Sequence, residues 1–252
     1  MKAQIFVPLL FTLVFSHLFA SESYSKTLSV VHTEWFPYSY RSEGKSSGLS
    51  IEIYTEALKR AGYTPVYTQR PWARALREFK AGKYDLLVDG SNSTFPNCAQ
   101  PAPITWVINY WVHQESTHTE FTGHGQFDDK IVAYVRDYDY PSSFNNYKAF
   151  KLKTSVPDDT TGLILVNKGR VEAFIGDLLN NSELVKQHNF NVRPLLPAIE
   201  LQMLSLCFSP KLLAERYAFE ASLKSMFEEG RISEFYQQYF GYTYQELIRN
   251  FH

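Results

Sequence analysis

Between residues 70 and 91 the chain reads RPWARALREFKAGKYDLLVDGS, and this run constrains the fold more than any other. Pro71 suits the first turn of a helix, where a missing N–H costs no intrahelical bond. Ala75, Leu76 and Phe79 then recur at helical spacing, which predicts one apolar face over residues 71–81. Gly82 supplies the left-handed stop, and residues 84–89 follow at once as a short apolar strand. Such a continuous apolar run suits a parallel strand covered on both faces. Open α/β sheets hold small molecules beyond the carboxyl ends of their strands, which marks the tip Asp89-Gly90-Ser91 as a candidate site.

The surrounding chain extends this unit. Residues 28–33 form a β-rich run that leads into an aromatic loop with Trp35, Phe36, Tyr38 and Tyr40. A turn at residues 43–45 precedes a helix over 49–61, closed by Gly62, and a second strand over 66–69. The order is β-α-β-α-β, which implies a right-handed parallel sheet. From residue 92 to 103 the pattern breaks, and 104–114 reads as a long extended segment. A second series follows: a strand over 130–136, an acidic and aromatic turn over 137–140 and a short helix. It continues with a strand near Thr154, a helix over 160–168 and a strand over 171–176. Asp177 caps a helix running to about His188. A strand over 201–208 and helices over 211–229 and 232–239 complete the reading. Two α/β units joined by extended crossings near 105–110 and 205–208 would form a hinge with a cleft between lobes.

Bulk properties narrow the partners. The 25 basic and 26 acidic residues balance, which argues against nucleic acid or an anionic membrane surface. Aromatic residues make up 16% of the chain, more than a core requires, and the surplus suits a cleft that stacks planar or apolar groups. Residues 1–20 have a positive start at Lys2, an apolar stretch over 5–15 and Ala20 before the expected cut. They read as a signal peptide for export to the periplasm. Export permits Cys98 and Cys207 to pair, while two separate buried thiols satisfy the sequence equally.

Four stretches together resemble one family: TEWFPYSYRSEGKSSGLSIEIYTEALKRAGY, the run 70–91, GLILVNKGRVEAFIGD and FEASLKSMFEEGRISEFYQQYFG. Their order and separation resemble the type II periplasmic solute-binding proteins, bacterial extracellular family 3, which binds polar amino acids. The resemblance implies two lobes, each a mixed sheet flanked by helices, with two crossover hinge strands. Residues 25–104 and 208–252 would form one lobe and 105–207 the other. It also implies a monomer that closes on a small molecule without a cofactor, metal or chemical reaction, and delivers it to an ABC permease or a membrane sensor.

In the family an aromatic residue after the first strand stacks on the ligand, a role carried over to Trp35, Phe36 and Tyr38. Hydroxyls after the third strand correspond to Ser91, Ser93 and Thr94, beside Asp89. The Arg that clamps an α-carboxylate in relatives has no counterpart, since residues 92–110 contain neither Arg nor Lys. Arg70 and Arg74, flanking Trp72, are the candidates to replace it from the helix start. In the second lobe the turn Arg136-Asp137-Tyr138-Asp139-Tyr140 stands where relatives offer small residues to the carboxylate, with Tyr138 as the candidate contact. Asp177 matches an Asp that receives the ligand's α-amino group. Without a bidentate guanidinium, and with two acids in the turn, a standard α-amino acid is a poor fit.

Weaker signals carry less. The spacing of His113, His118 and His124 suits no compact metal site and reads as a solvated loop. Glu34, Asp89 and Glu172 have no nucleophile or phosphate cradle beside them and read as structural. Dehydratase-like chemistry on the same fold would need a cleft carboxyl acting as an acid.

Overall fold

The computed structural model describes residues 25–251, so the expected signal peptide lies outside the described residues. In chain order the elements begin with β1 (Lys26–His32), the hairpin β2 (Tyr40–Ser42) and β3 (Lys45–Ser47), and α1 (Leu49–Arg60). β4 (Tyr63–Gln69), α2 (Trp72–Lys80), β5 (Leu86–Gly90) and β6 (Ile104–His113) follow. The next series is β7 (Ile131–Val135), α3 (Ser142–Asn146), β8 (Leu152–Val156), α4 (Asp159–Asn167), β9 (Ala173–Asp177) and α5 (Leu178–His188). β10 (Val192–Pro194), β11 (Glu200–Phe208), α6 (Leu213–Glu228), α7 (Arg231–Phe240) and α8 (Tyr244–Phe251) complete the chain.

The strands follow the order β4-β1-β5-β11-β6-β9-β7-β8, and the layout is duplicated about its centre. β1 lies between β4 and β5, parallel to both, and β7 lies between β8 and β9 in the same way. Each triplet is extended by one antiparallel strand, β11 on β5 and β6 on β9. β11 pairs with β6 from Glu200 to Leu204 and with β5 from Ser205 onward, so it passes from one half to the other. This is the two-lobed mixed α/β architecture with two crossover strands.

Burial follows the sequence pattern. Ala75, Leu76 and Phe79 of α2 pack on Val31, Leu87 and Phe95, as the helical spacing predicts. A separate cluster lies under α4, where Leu163 and Val166 meet Ala133, Val135 and Phe174. The last helices cover α1, with Tyr239 donating to Glu52 at 2.6 Å and Arg231 pairing with Glu56 at 3.0 Å.

Cys98 and Cys207 form a disulfide, which settles the alternative the sequence left open. It joins the loop after β5 to β11, and Gly90 lies beneath it, where a Cβ would stand well inside contact distance of Cys207 Sγ. Gly48 has φ of +115° and faces the Tyr38 carbonyl so closely that no side chain fits. In the loop of His118 and His124 both imidazoles are half-buried against aromatic rings, while Thr119, Glu120 and Thr122 between them are exposed. Tyr110 Oη and His124 Nδ1 lie 2.7 Å apart, and His118 stands edge-on to Phe127.

Candidate functional site

The strand ends converge on a cavity of about 60 Å³, with walls from both halves. Val88, Asp89, Gly90 and Ser91 come from the end of β5, Thr33 and Trp35 from the end of β1, and Trp72 and Leu76 from α2. The second half contributes Asp137, Tyr138 and Asp139 from the β7–α3 loop. The crossovers add Trp106 and Leu204.

Asp89 adopts a left-handed backbone, with φ of +57°, at the tip of β5. Its carboxylate accepts from Ser50 Oγ at 2.7 Å and Tyr54 Oη at 2.8 Å. Burial pushes its pKa up to about 7, against these two hydrogen bonds, which favour the charged form. Ser91 and Ser93, whose hydroxyls lie 2.6 Å apart, both donate to the Asp139 carboxylate from the opposite half. The Trp72 indole N–H donates to the Asp137 carbonyl at 2.8 Å, also across the seam. Tyr138 stands edge-on to Trp72 and to Trp106, with ring centroids 5.9 and 5.8 Å away. One three-residue loop therefore carries all these ties between the halves.

The structure brings together Trp35, Trp72, Asp89, Ser91, Thr94 and Tyr138 of the sequence candidates, with Ser93 at the edge. Five others stand elsewhere. Arg70 and Arg74 do not line the cavity. Both pair with Glu78, at 3.5 and 2.8 Å, Arg74 from the exposed face of α2 and Arg70 from the residue that precedes Pro71. Tyr38 is fully buried behind Trp35, stacked on it at 4.1 Å, and Phe36 lies against Tyr40 beside a second opening. Asp177 is fully buried and does not line the cavity. Its oxygens accept from the Asn180 and Val107 backbone N–H groups, at 2.6 and 3.2 Å, and burial pushes its pKa up to about 8.

Sequence reasoning missed Asp137 and Asp139 as cavity residues, although their turn had been singled out as acidic. It also missed Trp106, since the reading followed loops at strand ends and a mid-strand indole gave no such signal. Ser50 and Tyr54, the partners of Asp89, sit on α1 at i and i+4, a spacing that places them on one helix face.

Residues 28–100 match the family model for bacterial extracellular solute-binding proteins, family 3. No curated protein matches this chain in sequence. Among solved structures, a histidine kinase sensor domain with similarity to periplasmic binding proteins superposes with a TM-score of 0.75 at 17% identity, covering 86% of this chain and 97% of that one. ArgBP from T. maritima gives 0.73 at 13% identity, covering 85% and 95%. A protein of the glutathione import system of Streptococcus mutans, described with GshT and the cystine ABC importer TcyBC, gives 0.73 at 16% identity, covering 87% and 97%. At these identities the likeness is one of fold. The resemblance read from the sequence thus holds: residues 28–100 carry the pattern of the family 3 extracellular solute-binding proteins, on the type II periplasmic binding-protein fold.

Proposed function

We propose that the chain is a periplasmic solute-binding protein that captures a small polar ligand between its lobes and presents it to an ABC permease. Residues 25–104 with 208–252 form one lobe in this reading, and 105–207 the other. The observation that carries it is the cavity walled by both halves and bridged by the 137–139 loop. A site of this kind closes by moving one lobe, and the ligand stabilises the closed form only through contacts absent from the open one. No guanidinium among the described residues faces the cavity, so the ligand is not a standard α-amino acid held by its carboxylate. The bound solute leaves unchanged, as expected of a carrier.

The test is a thermal-shift screen of polar metabolites on the mature protein, followed by small-angle scattering with any hit. Capture raises the melting temperature by mass action and reduces the radius of gyration. Flat melting curves across amines, sugars, amino acids and organic acids would remove the reading.

A second reading is favoured by the likeness to a sensor kinase domain. Closure would then signal to a membrane receptor. Uptake of radiolabelled ligand that persists after deletion of the gene, with loss of a transcriptional response, would select this reading over transport.

A further inference from the structure

The interlobe cavity, taken as the binding site proposed above, carries formal charge of one sign. Asp89 stands at its floor and Asp137 and Asp139 at its opposite wall, while no Lys, Arg or His lines it among the described residues. Much of the remaining wall is aromatic, from Trp35, Trp72, Trp106 and Tyr138. Carboxylates and π faces share one electrostatic preference, since both attract a cation and repel an anion. The neutral hydroxyls of Ser91 and Ser93 now satisfy Asp139, and a stronger donor would take their place.

A second observation is independent of charge. The indole N–H groups of Trp35 and Trp106 have no acceptor among the described residues, although these side chains are 6% and 3% exposed. The third indole, on Trp72, is already engaged by the Asp137 carbonyl. Buried donors left unpaired are costly, and the protein's own described groups satisfy neither of these two.

We propose that the cavity takes a small organic cation bearing N–H donors, an amine or a guanidine without a carboxylate, with its charged group against Asp139 and Asp89 and its body between the indoles. The contrast with an amino acid is sharp, because a carboxylate brought into this cavity meets three acids and no compensating base.

The experiment is isothermal titration calorimetry on the mature wild-type protein with pairs that differ only in the α-carboxylate: agmatine and arginine, cadaverine and lysine, tyramine and tyrosine. In at least one pair the decarboxylated member binds about tenfold tighter or more, a difference of about 1.4 kcal/mol. Asp139→Asn weakens that binding by at least about tenfold, while its far-ultraviolet spectrum and melting curve report folding. Tighter binding of the carboxylated member in every responsive pair overturns the inference, as does binding of neutral sugars or dicarboxylates with no amine bound. In that last case capture itself stands. If nothing in the whole set binds, the inference falls, and capture is decided by the broader thermal-shift screen.

Discussion

The Asp177 carboxylate accepts the Val107 backbone N–H at 3.2 Å, joining the end of β9 to the crossover β6. Its other oxygen caps α5 through the Asn180 N–H at 2.6 Å. One fully buried carboxyl therefore fixes a helix start and a crossover strand together. Asp177→Ala should lower unfolding free energy by about 2–4 kcal/mol, combining a lost cap with an unpaired buried N–H. Urea denaturation with an unchanged slope measures this. A loss below about 0.5 kcal/mol would show that neither bond matters.

The buried carboxyls also set a pH dependence. Burial raises Asp89 and Asp159 to about 7 and Asp177 to about 8, all above the value of about 4 in an unfolded chain. Between those limits the folded state holds more protons, so the stability these groups contribute is lost progressively as pH rises from about 4, and the loss is complete once pH has passed 7 to 8. His32 acts oppositely: burial lowers its pKa, and its contribution is lost as pH falls below the ordinary histidine value. The melting temperature should accordingly fall from about pH 5 to about pH 8, most clearly above about pH 6.5, where His32 no longer opposes it. Asp159→Asn should flatten that slope, and a rise over the same interval would contradict the account.

Reduction of the Cys98–Cys207 bond should destabilise the protein by about 2–4 kcal/mol, because the bridge closes a long loop in the unfolded chain. The paired substitution of both cysteines by serine should lower the melting temperature by several degrees. Equal melting temperatures with and without reductant would mean that the cross-link adds nothing.

Trp72→Phe keeps an aromatic wall but removes the N–H that donates to the Asp137 carbonyl across the seam. One such bond is worth about 0.5–1.5 kcal/mol, enough to shift an open–closed ratio several-fold. Scattering on the unliganded variant should show a larger radius of gyration than wild type. An unchanged radius would place the closure energy elsewhere in the loop.

Much of this was legible in the chain because local signals agreed with the global fold. The α2–β5 unit, the Asp177 cap and the duplicated series each rest on periodicity and capping residues within a few positions. The helix α8 was overlooked, although Thr243 and Glu246 form a reciprocal capping pair, with the Thr243 N–H donating at 2.7 Å and the Glu246 N–H at 3.2 Å. The pairing of Ser91 with Asp139 was not legible. It joins residues 48 positions apart through the arrangement of two lobes, and no local pattern encodes that. Arg70 and Arg74 misled for a related reason: a helix start indicates which end faces the cleft, while the outward face is set by Glu78 alongside them.

The order in which the sheet is filled bears on biogenesis. β11 supplies the middle of the strand order, yet it is the last strand synthesised. Until residues 200–208 emerge, β5 and β6 offer bare backbone edges, and any nascent or truncated chain ending earlier exposes two templates for self-association. The protein's own late segment is thus the stopper for both edges, and premature termination would favour aggregates over a usable half-molecule.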